Sequence, residues 1–166
     1  MSRAVLSLGS NIGDRAANLR GALATLRAAG ARIVAVSPVY ATAPWGGVEQ
    51  DDFLNAVVVA EDPDSRPWSW LARARAAESR AGRTRDVRWG PRTLDVDVLD
   101  VDGTTSDDPE LTLPHPRAHD RAFVLVPWLD VDPDAVVAGR GRVADLLAGL
   151  LPEERAGVRR DPAELA

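Results

Sequence analysis

The chain contains neither cysteine nor lysine. Its 166 residues include no Cys, and reading the sequence shows that all 20 residues of the Lys+Arg class are arginine. The absence of cysteine excludes disulfides, Cys-ligated zinc, iron–sulfur clusters and thiol catalysis. The absence of lysine excludes a Walker A phosphate loop, which requires a lysine after its glycines. Several large classes of enzyme are therefore excluded before any motif is considered.

A surplus of positive charge and long apolar runs are also missing. The 25 acidic residues outnumber the 20 arginines, so the formal net charge is -5 at pH 7. A globally basic nucleic-acid binder is disfavoured, because such proteins usually carry the positive surplus that neutralises phosphates. No apolar run approaches the ~20 residues of a membrane span, and the N-terminal run is too short for a signal peptide. We expect a cytoplasmic monomer that binds neither nucleic acid nor membrane.

The arginines that are present are unevenly placed. Residues 80–92 contain five arginines against the single acid Asp86, whereas residues 95–110 contain seven acids and no base. A strongly cationic segment therefore adjoins a strongly anionic one. Guanidinium groups are planar donors suited to phosphate oxygens, so this boundary is a candidate site for a charged nucleotide. Pairing of the two segments in surface salt bridges is the alternative.

Apolar patterning predicts alternating strands and helices. Strands are expected at residues 4–8, 33–40, 53–61 and 93–101, and helices at about 14–29, 66–80, 121–129 and 143–151. Asp14 is a candidate N-cap of the first helix, and Asp64 or Ser65 of the second. The order strand, helix, strand, strand, helix, strand favours an α+β domain with an antiparallel sheet over a doubly wound parallel one. We expect one domain over residues 1–151 and a frayed tail over residues 152–166.

Two aspartates dominate the last predicted strand. Because side chains alternate along a strand, Asp95 and Asp97 should face one side, with Val96 and Val98 on the other. Neighbouring carboxylates repel unless a cation or arginines compensate, and hard oxygen ligands of this kind suit Mg²⁺ shared with substrate phosphates. A solvated strand face in an acidic protein is the alternative for this short motif.

Three further features point towards a ligand. His115 lies between prolines six residues before Arg121, so the two side chains could face phosphates together. Asn55 lies one alternation step from Phe53 on an apolar strand, and a buried amide there needs partners that a heterocycle could supply. Trp89 lies in an arginine-rich loop, where core packing and a closing lid are both compatible with the sequence.

The run from Arg88 to Asp97 resembles the signature of the 6-hydroxymethyl-7,8-dihydropterin pyrophosphokinases of folate biosynthesis. Residues 8–11, 53–56 and 111–123 follow the family pattern in the same order, and the match covers about residues 3–137. The resemblance implies a ferredoxin-like antiparallel sheet flanked by helices. It also implies transfer of the β,γ-pyrophosphoryl group of ATP to the hydroxymethyl oxygen of the pterin, with release of AMP.

The resemblance implies roles for individual residues. Asp95 and Asp97 would bind two Mg²⁺ ions that bridge the ATP phosphates, and Arg83 and Arg92 would act with them in catalysis. The implied ATP ligands are Arg83, Arg92, Val98, Thr112, His115 and Arg121. The implied pterin ligands are Thr42, Trp45, Phe53, Asn55, Trp89 and Phe123. No general base is assigned, because attack by a primary alcohol on the β-phosphorus depends more on in-line positioning and charge neutralisation.

Two other functions compete with this one. A nucleotidyltransferase can pair a Gly-Ser turn with a D-x-D motif, but in that class the aspartates follow the turn closely, whereas Asp95 lies 85 residues beyond Ser10. A non-catalytic α+β module could bind a partner through the arginine-rich segment. That module gives no reason for Asp95, Asp97 and His115 to occur together.

Overall fold

The predicted alternation of strands and helices is present in the structure, a computed structural model that describes residues 2–44, 49–82 and 93–165. The strands are β1 (Ser2–Ser10), β2 (Arg32–Val36), β3 (Tyr40–Thr42), β4 (Phe53–Asp62), β5 (Asp95–Val101), β6 (Ser106–Asp108), β7 (Leu111–Leu113), β8 (Val136–Val137), β9 (Gly141–Arg142) and β10 (Arg159–Arg160). The helices are α1 (Arg15–Ala28), α2 (Pro67–Arg80), α3 (Ala122–Val131), α4 (Val143–Ala148) and α5 (Pro152–Ala156). No helix within the described ranges is long and apolar enough to cross a membrane.

The main sheet is antiparallel, as predicted. Its strands run in the order β10-β3-β4-β1-β5, and β2 pairs with β4 beside β3. The central strands β1 and β4 are buried along almost their whole length, because helices cover both faces of the sheet. This burial explains why both strands are mostly apolar in the sequence.

Each face of the sheet has its own apolar core. Leu6, Leu8 and Val58 point to one face and pack with the buried residues of α1 and α2. Val57, Val59 and Leu99 point to the other face and pack with α3 and α4. At the end of the sheet near Gly9, the residues opposite Gly9 are the polar Asn55 and Asp95.

Several predicted boundaries move for local reasons. Asp14 caps α1, where its side chain accepts a hydrogen bond from the Ala17 amide at 3.0 Å. The predicted N-cap of α2 is wrong, because Ser65 donates instead to Asp62 at 2.8 Å and the helix is capped at Arg66. The strand predicted over residues 33–40 is divided into β2 and β3 around Pro38, which has no N–H to donate.

The last segment differs from its prediction as a frayed tail. Residues 152–165 contain α5 and β10, and β10 pairs with β3 through Arg159 opposite Ala41 and Arg160 opposite Tyr40. Ala163 and Leu165 pack against the core that contains α1. Pairing with a distant strand edge leaves no helical or strand-like period in such a short segment, so sequence patterning did not reveal it. The domain boundary at residue 151 stays a prediction.

Candidate active site

Strand pairing brings three distant parts of the sequence into one row. Gly9 of β1 lies opposite Asn55 of β4 on one side and opposite Asp95 of β5 on the other. Side chains of directly opposed residues share one face of a sheet, so Asn55 and Asp95 point to the same side, separated only by a glycine. The predicted pterin and metal ligands therefore meet at one end of the sheet.

One side of this site is a neutral wall formed by Thr42, Phe53 and Asn55. Asn55 is only 3% exposed, and its Nδ2 donates a hydrogen bond to Thr42 Oγ1 at 2.8 Å. Phe53 lies opposite Thr42 in the β3–β4 pair. The Asn55–Thr42 bond satisfies one amide proton and fixes the side chain, so the rest of the amide has a defined direction.

Gly9 is required by the close approach of this wall. A Cβ at this position would lie 3.3 Å from Asn55 Oδ1 and 3.6 Å from Phe53 Cδ1. The first distance is tighter than an ordinary contact, so a larger residue would displace the amide oxygen. The glycine thus serves packing at the site rather than a phosphate loop.

The opposite side of the site carries the two aspartates of β5. Val96 and Val98 are buried against the helices, and Asp95 and Asp97 face the other way, as the alternation predicts. The Asp97 side chain is 43% exposed. Within residues 2–44, 49–82 and 93–165, no three or more His, Asp, Glu or Cys side chains are grouped to hold a metal ion. Two carboxylates without a full protein cage suit Mg²⁺, which usually takes one or two carboxylates and completes its shell with water and phosphates.

His115 lies beside Asp97. Its backbone N–H donates to Leu99 O at 3.0 Å, which anchors the loop before α3 to β5. Its Nδ1 accepts from the Arg117 amide at 3.2 Å, and its Nε2 lies 4.0 Å from Asp97 Oδ1. Burial, assisted by the positive charges of Arg121 and Arg117, lowers the pKa of His115 to about 4. The ring is therefore neutral at pH 7 and carries its proton on Nε2, directed towards Asp97.

Arg121 connects the charged side of the site to the ring of Phe123. Its guanidinium lies 5.6 Å from the centre of the Phe123 ring, in the range of a cation–π contact. Burial lowers the pKa of Arg121, while the carboxylates of Asp97 and Asp95 act in the opposite direction. Arg121 thus interacts electrostatically with both aspartates of β5.

Two buried groups at the site were missed from the sequence. Glu78 of α2 is 8% exposed, and its Oε2 accepts from the Val96 amide at 3.0 Å, between the two aspartates. Asn11 is 2% exposed, and its Nδ2 donates to Gln50 Oε1 at 2.7 Å and to Asp51 O at 3.0 Å. Asn11 lies in the polar turn after β1 and in a segment that follows the family pattern, but neither signal gave it a role, and nothing in the periodicity of α2 distinguished Glu78.

The remaining predicted residues are placed as follows. Thr112 lies in the β6–β7 hairpin, where its Oγ1 donates to Asp108 O at 2.9 Å. The Val98 side chain is buried on the face of the sheet that packs against α1 and α2, so a ligand at the edge of β5 would meet its main chain. The predicted site residues Trp45, Arg83, Trp89 and Arg92 lie outside the described residues.

A protein-family model matches residues 5–133 of the chain. Its description is 7,8-dihydro-6-hydroxymethylpterin-pyrophosphokinase. The matched range includes the neutral wall, the aspartates of β5 and His115. It ends before α4 and the C-terminal tail.

Curated relatives carry the name 2-amino-4-hydroxy-6-hydroxymethyldihydropteridine pyrophosphokinase. The protein of Mycobacterium tuberculosis is 52% identical over 171 residues, which cover 96% of this chain and 89% of the relative. The protein of Methylorubrum extorquens is 48% identical over 153 residues, with coverage of 92% and 96%. The protein of Pseudomonas aeruginosa is 40% identical over 149 residues, with coverage of 89% and 91%.

Solved structures share the fold at low sequence identity. The crystal structure of wild-type Plasmodium falciparum HPPK-DHPS with pteroate has a TM-score of 0.70 at 14% identity and covers 89% of this chain. The match spans 44% of the Plasmodium chain, so this chain is similar to less than half of that protein. At this identity the likeness concerns the fold alone.

Proposed function

We propose an active site at the end of the sheet beside Gly9 for this chain, which belongs to the 7,8-dihydro-6-hydroxymethylpterin-pyrophosphokinase family. As a member of that family, it transfers the pyrophosphoryl group of ATP to 6-hydroxymethyl-7,8-dihydropterin in folate biosynthesis. The observation that carries this placement is the row Asn55–Gly9–Asp95. It sets a neutral hydrogen-bonding wall next to a pair of carboxylates. A flat heterocycle needs the first and a polyphosphate with its cation needs the second.

The neutral wall would bind the pterin. Asn55 offers its Oδ1 and its remaining amide proton to the polar edge of the ring, because its other proton is held by Thr42. Phe53 and Phe123 would stack on the two faces of the ring, since aromatic stacking supports a planar ligand without fixing its charge. Trp45 and Trp89 are proposed as further pterin contacts on the resemblance alone.

The carboxylate side would bind ATP and magnesium. Asp95 and Asp97 have the oxygen donors and the shared direction that Mg²⁺ requires, and we assign two ions to them. When bound, the ions would neutralise charge on the phosphates of ATP. His115 is suited to donate its Nε2 proton to a phosphate oxygen, and Arg121 to contribute positive charge beside it. Arg83, Arg92, Val98 and Thr112 complete the proposed ATP ligands.

The reaction is a displacement at the β-phosphorus. The hydroxymethyl oxygen forms the new bond to Pβ and loses its proton to solvent, and the bond from Pβ to the oxygen of the α-phosphate breaks, so AMP leaves with that oxygen. The protein contributes alignment of the two substrates and stabilisation of charge rather than a covalent intermediate. No side chain is assigned as a general base.

The scaffold suits this arrangement. Strands β1, β2, β4 and β5 with α1 and α2 follow the order β-α-β-β-α-β, with β1 between β4 and β5. We infer that this core is the ferredoxin-like sheet expected from the sequence. That the enzyme acts as a cytoplasmic monomer stays a prediction.

Analysis of the nucleotide product tests the activity on which this placement rests. The protein is incubated with ATP, Mg²⁺ and 6-hydroxymethyl-7,8-dihydropterin, and the products are separated by ion-exchange chromatography. Formation of AMP and pterin pyrophosphate in equal amounts, lost on addition of a chelator, is the expected result. Formation of ADP, release of free pyrophosphate or absence of turnover would contradict it and favour a kinase, a nucleotidyltransferase or a binding module.

A further inference from the structure

The segment of residues 50–52 leads directly into Phe53 and so sets where the neutral wall begins. It immediately precedes the β3–β4 pairing, which starts at Phe53 opposite Thr42. Asn11 holds the first part of the segment through the Gln50 side chain and the Asp51 carbonyl. Two arginines hold the last part.

Both arginines converge on Asp52. Arg15, the first residue of α1, donates from its Nη1 to the Asp52 main-chain oxygen at 3.0 Å. Arg159 of β10 donates from its Nη2 to Asp52 Oδ2 at 2.8 Å. These arginines are 37 and 107 residues from Asp52 in the sequence, so neither contact follows from local chain geometry. We call Asp52, Arg15 and Arg159 the Asp52 clamp.

The clamp is tied to the wall from two directions. Arg159 lies opposite Ala41 in the β10–β3 pair, and Ala41 adjoins Thr42, the partner of Asn55. Arg15 begins the helix that follows the polar turn bearing Asn11. The C-terminal tail is therefore joined to the wall both by main-chain pairing next to Thr42 and by an ion pair next to Phe53.

We propose that Arg159 of the C-terminal tail is a positioning residue for the pterin pocket, acting with Arg15 through Asp52 to hold Phe53 in place before the substrate arrives. This inference rests on the proposed function, because it assigns Phe53 to the pterin. A wall ordered in advance loses less conformational freedom when the ring binds, so the clamp lowers the KM for the pterin. The carboxylate side lies across Gly9, so the kcat and the KM for ATP do not depend on it.

The expected effect is modest. The side chains of Arg159 and Asp52 are 59% and 42% exposed, and exposed ion pairs contribute little individually. Arg159→Ala should raise the KM for the pterin about two- to five-fold, with kcat and the KM for ATP unchanged. Arg159→Lys keeps a positive charge within reach of the carboxylate and should restore part of the affinity.

A double-mutant cycle tests whether Arg159 acts through Asp52, and the melting temperature of each variant reports any loss of stability. The KM for the pterin is measured for the wild type, Arg159→Ala, Asp52→Ala and the double variant, together with Tm by thermal melting. Arg155→Ala is the matched control, because Arg155 is in the same tail but outside the clamp. The two single changes should not be additive: once one partner is lost, loss of the other should raise the KM little further.

Several results would overturn the inference. An unchanged pterin KM in Arg159→Ala, additive effects in the double variant, an equal effect of Arg155→Ala or a parallel rise in the KM for ATP would each contradict positioning by the clamp. If the wild type itself produces no AMP, the proposed function fails and the clamp loses its role with it. If the wild type turns over normally and the cycle shows no coupling, the clamp alone fails.

Discussion

The two sides of the candidate site are built in opposite ways. The neutral wall lies on the paired strands β3 and β4, and its amide is almost fully buried and hydrogen-bonded inside the protein. The carboxylate side lies on the edge strand β5, where Asp97 is 43% exposed beside a histidine and an arginine. One side is specified by shape and hydrogen bonds, and the other by charge.

This difference indicates a division of labour between the two substrates. A buried neutral amide discriminates ligands by the pattern of donors and acceptors, since an unmatched polar group there is costly. A cluster of ionisable groups instead responds to the large charge of a polyphosphate. Changes on the wall should therefore affect binding of the pterin, and changes on the carboxylate side should affect the rate of transfer.

The largest expected effect is on the carboxylate side. Asp97→Asn keeps the size of the side chain but removes the charge that Mg²⁺ requires. We expect kcat to fall about 10²–10³-fold or more, while the KM for the pterin changes little. Steady-state kinetics with each substrate varied in turn measure both quantities.

Asp145→Asn is the control for this variant. Asp145 is an exposed acid on α4 and is not a residue of the proposed site. Asp145→Asn changes the net charge of the protein by the same amount as Asp97→Asn. Near-normal turnover in Asp97→Asn, or an equal loss in Asp145→Asn, would break the proposed division between the two sides.

The second expected effect is on the stability of the protein and comes from His115 on the carboxylate side. The pKa of His115 is about 4 in the folded chain, below its ordinary value of 6.5, so the unfolded chain binds more protons between these values. The contribution of this group to stability is complete above pH 6.5 and is lost as the pH falls towards 4. This contribution to the free energy of unfolding corresponds to about 3 kcal/mol between pH 6.5 and pH 4.

Urea unfolding of the metal-free protein at several pH values between 7 and 4 measures this contribution. His115→Gln should show a weaker loss of stability over the window than the wild type. His119→Gln, which changes the chain's other histidine, should follow the wild type. A parallel pH dependence in His115→Gln and the wild type would contradict the lowered pKa.

The smallest of the three effects is on the neutral wall. Gly9→Ala places a Cβ 3.3 Å from Asn55 Oδ1, and overpacking of this kind commonly costs 1–3 kcal/mol. We expect the KM for the pterin to rise about ten-fold with kcat little changed. Gly21→Ala is the control, because a Cβ at that helical position meets nothing within 4 Å and alanine favours the helix. A fall in kcat without a change in the KM for the pterin would contradict the assignment of Gly9 to the neutral wall.

Features with a local signature were predicted from the sequence. The N-cap at Asp14, the continuous strand β4 and the shared direction of Asp95 and Asp97 all follow from periodicity or from side-chain chemistry within a few residues. The strand predicted over residues 33–40 is divided at Pro38, because proline has no N–H to donate to a neighbouring strand.

Features that depend on tertiary packing were not predicted. Glu78 has its role only because α2 is placed beside the edge of β5, 18 residues further along the chain. Arg159 reaches Asp52 only because the tail pairs with β3, and the tail was expected to be frayed. In both cases the hydrogen-bond partner is determined by a contact between distant parts of the chain, and such a contact produces no periodic pattern in the sequence.

A crystal structure with Mg²⁺, a non-hydrolysable ATP analogue and 6-hydroxymethyl-7,8-dihydropterin tests the central claim most directly. The account predicts metal on Asp95 and Asp97, phosphates beside His115 and Arg121, and the pterin ring against Phe53 with its polar edge on Asn55. The hydroxymethyl oxygen should lie in line with the β-phosphorus, across Gly9. Metal bound away from both aspartates, or a pterin ring away from Asn55, would contradict it.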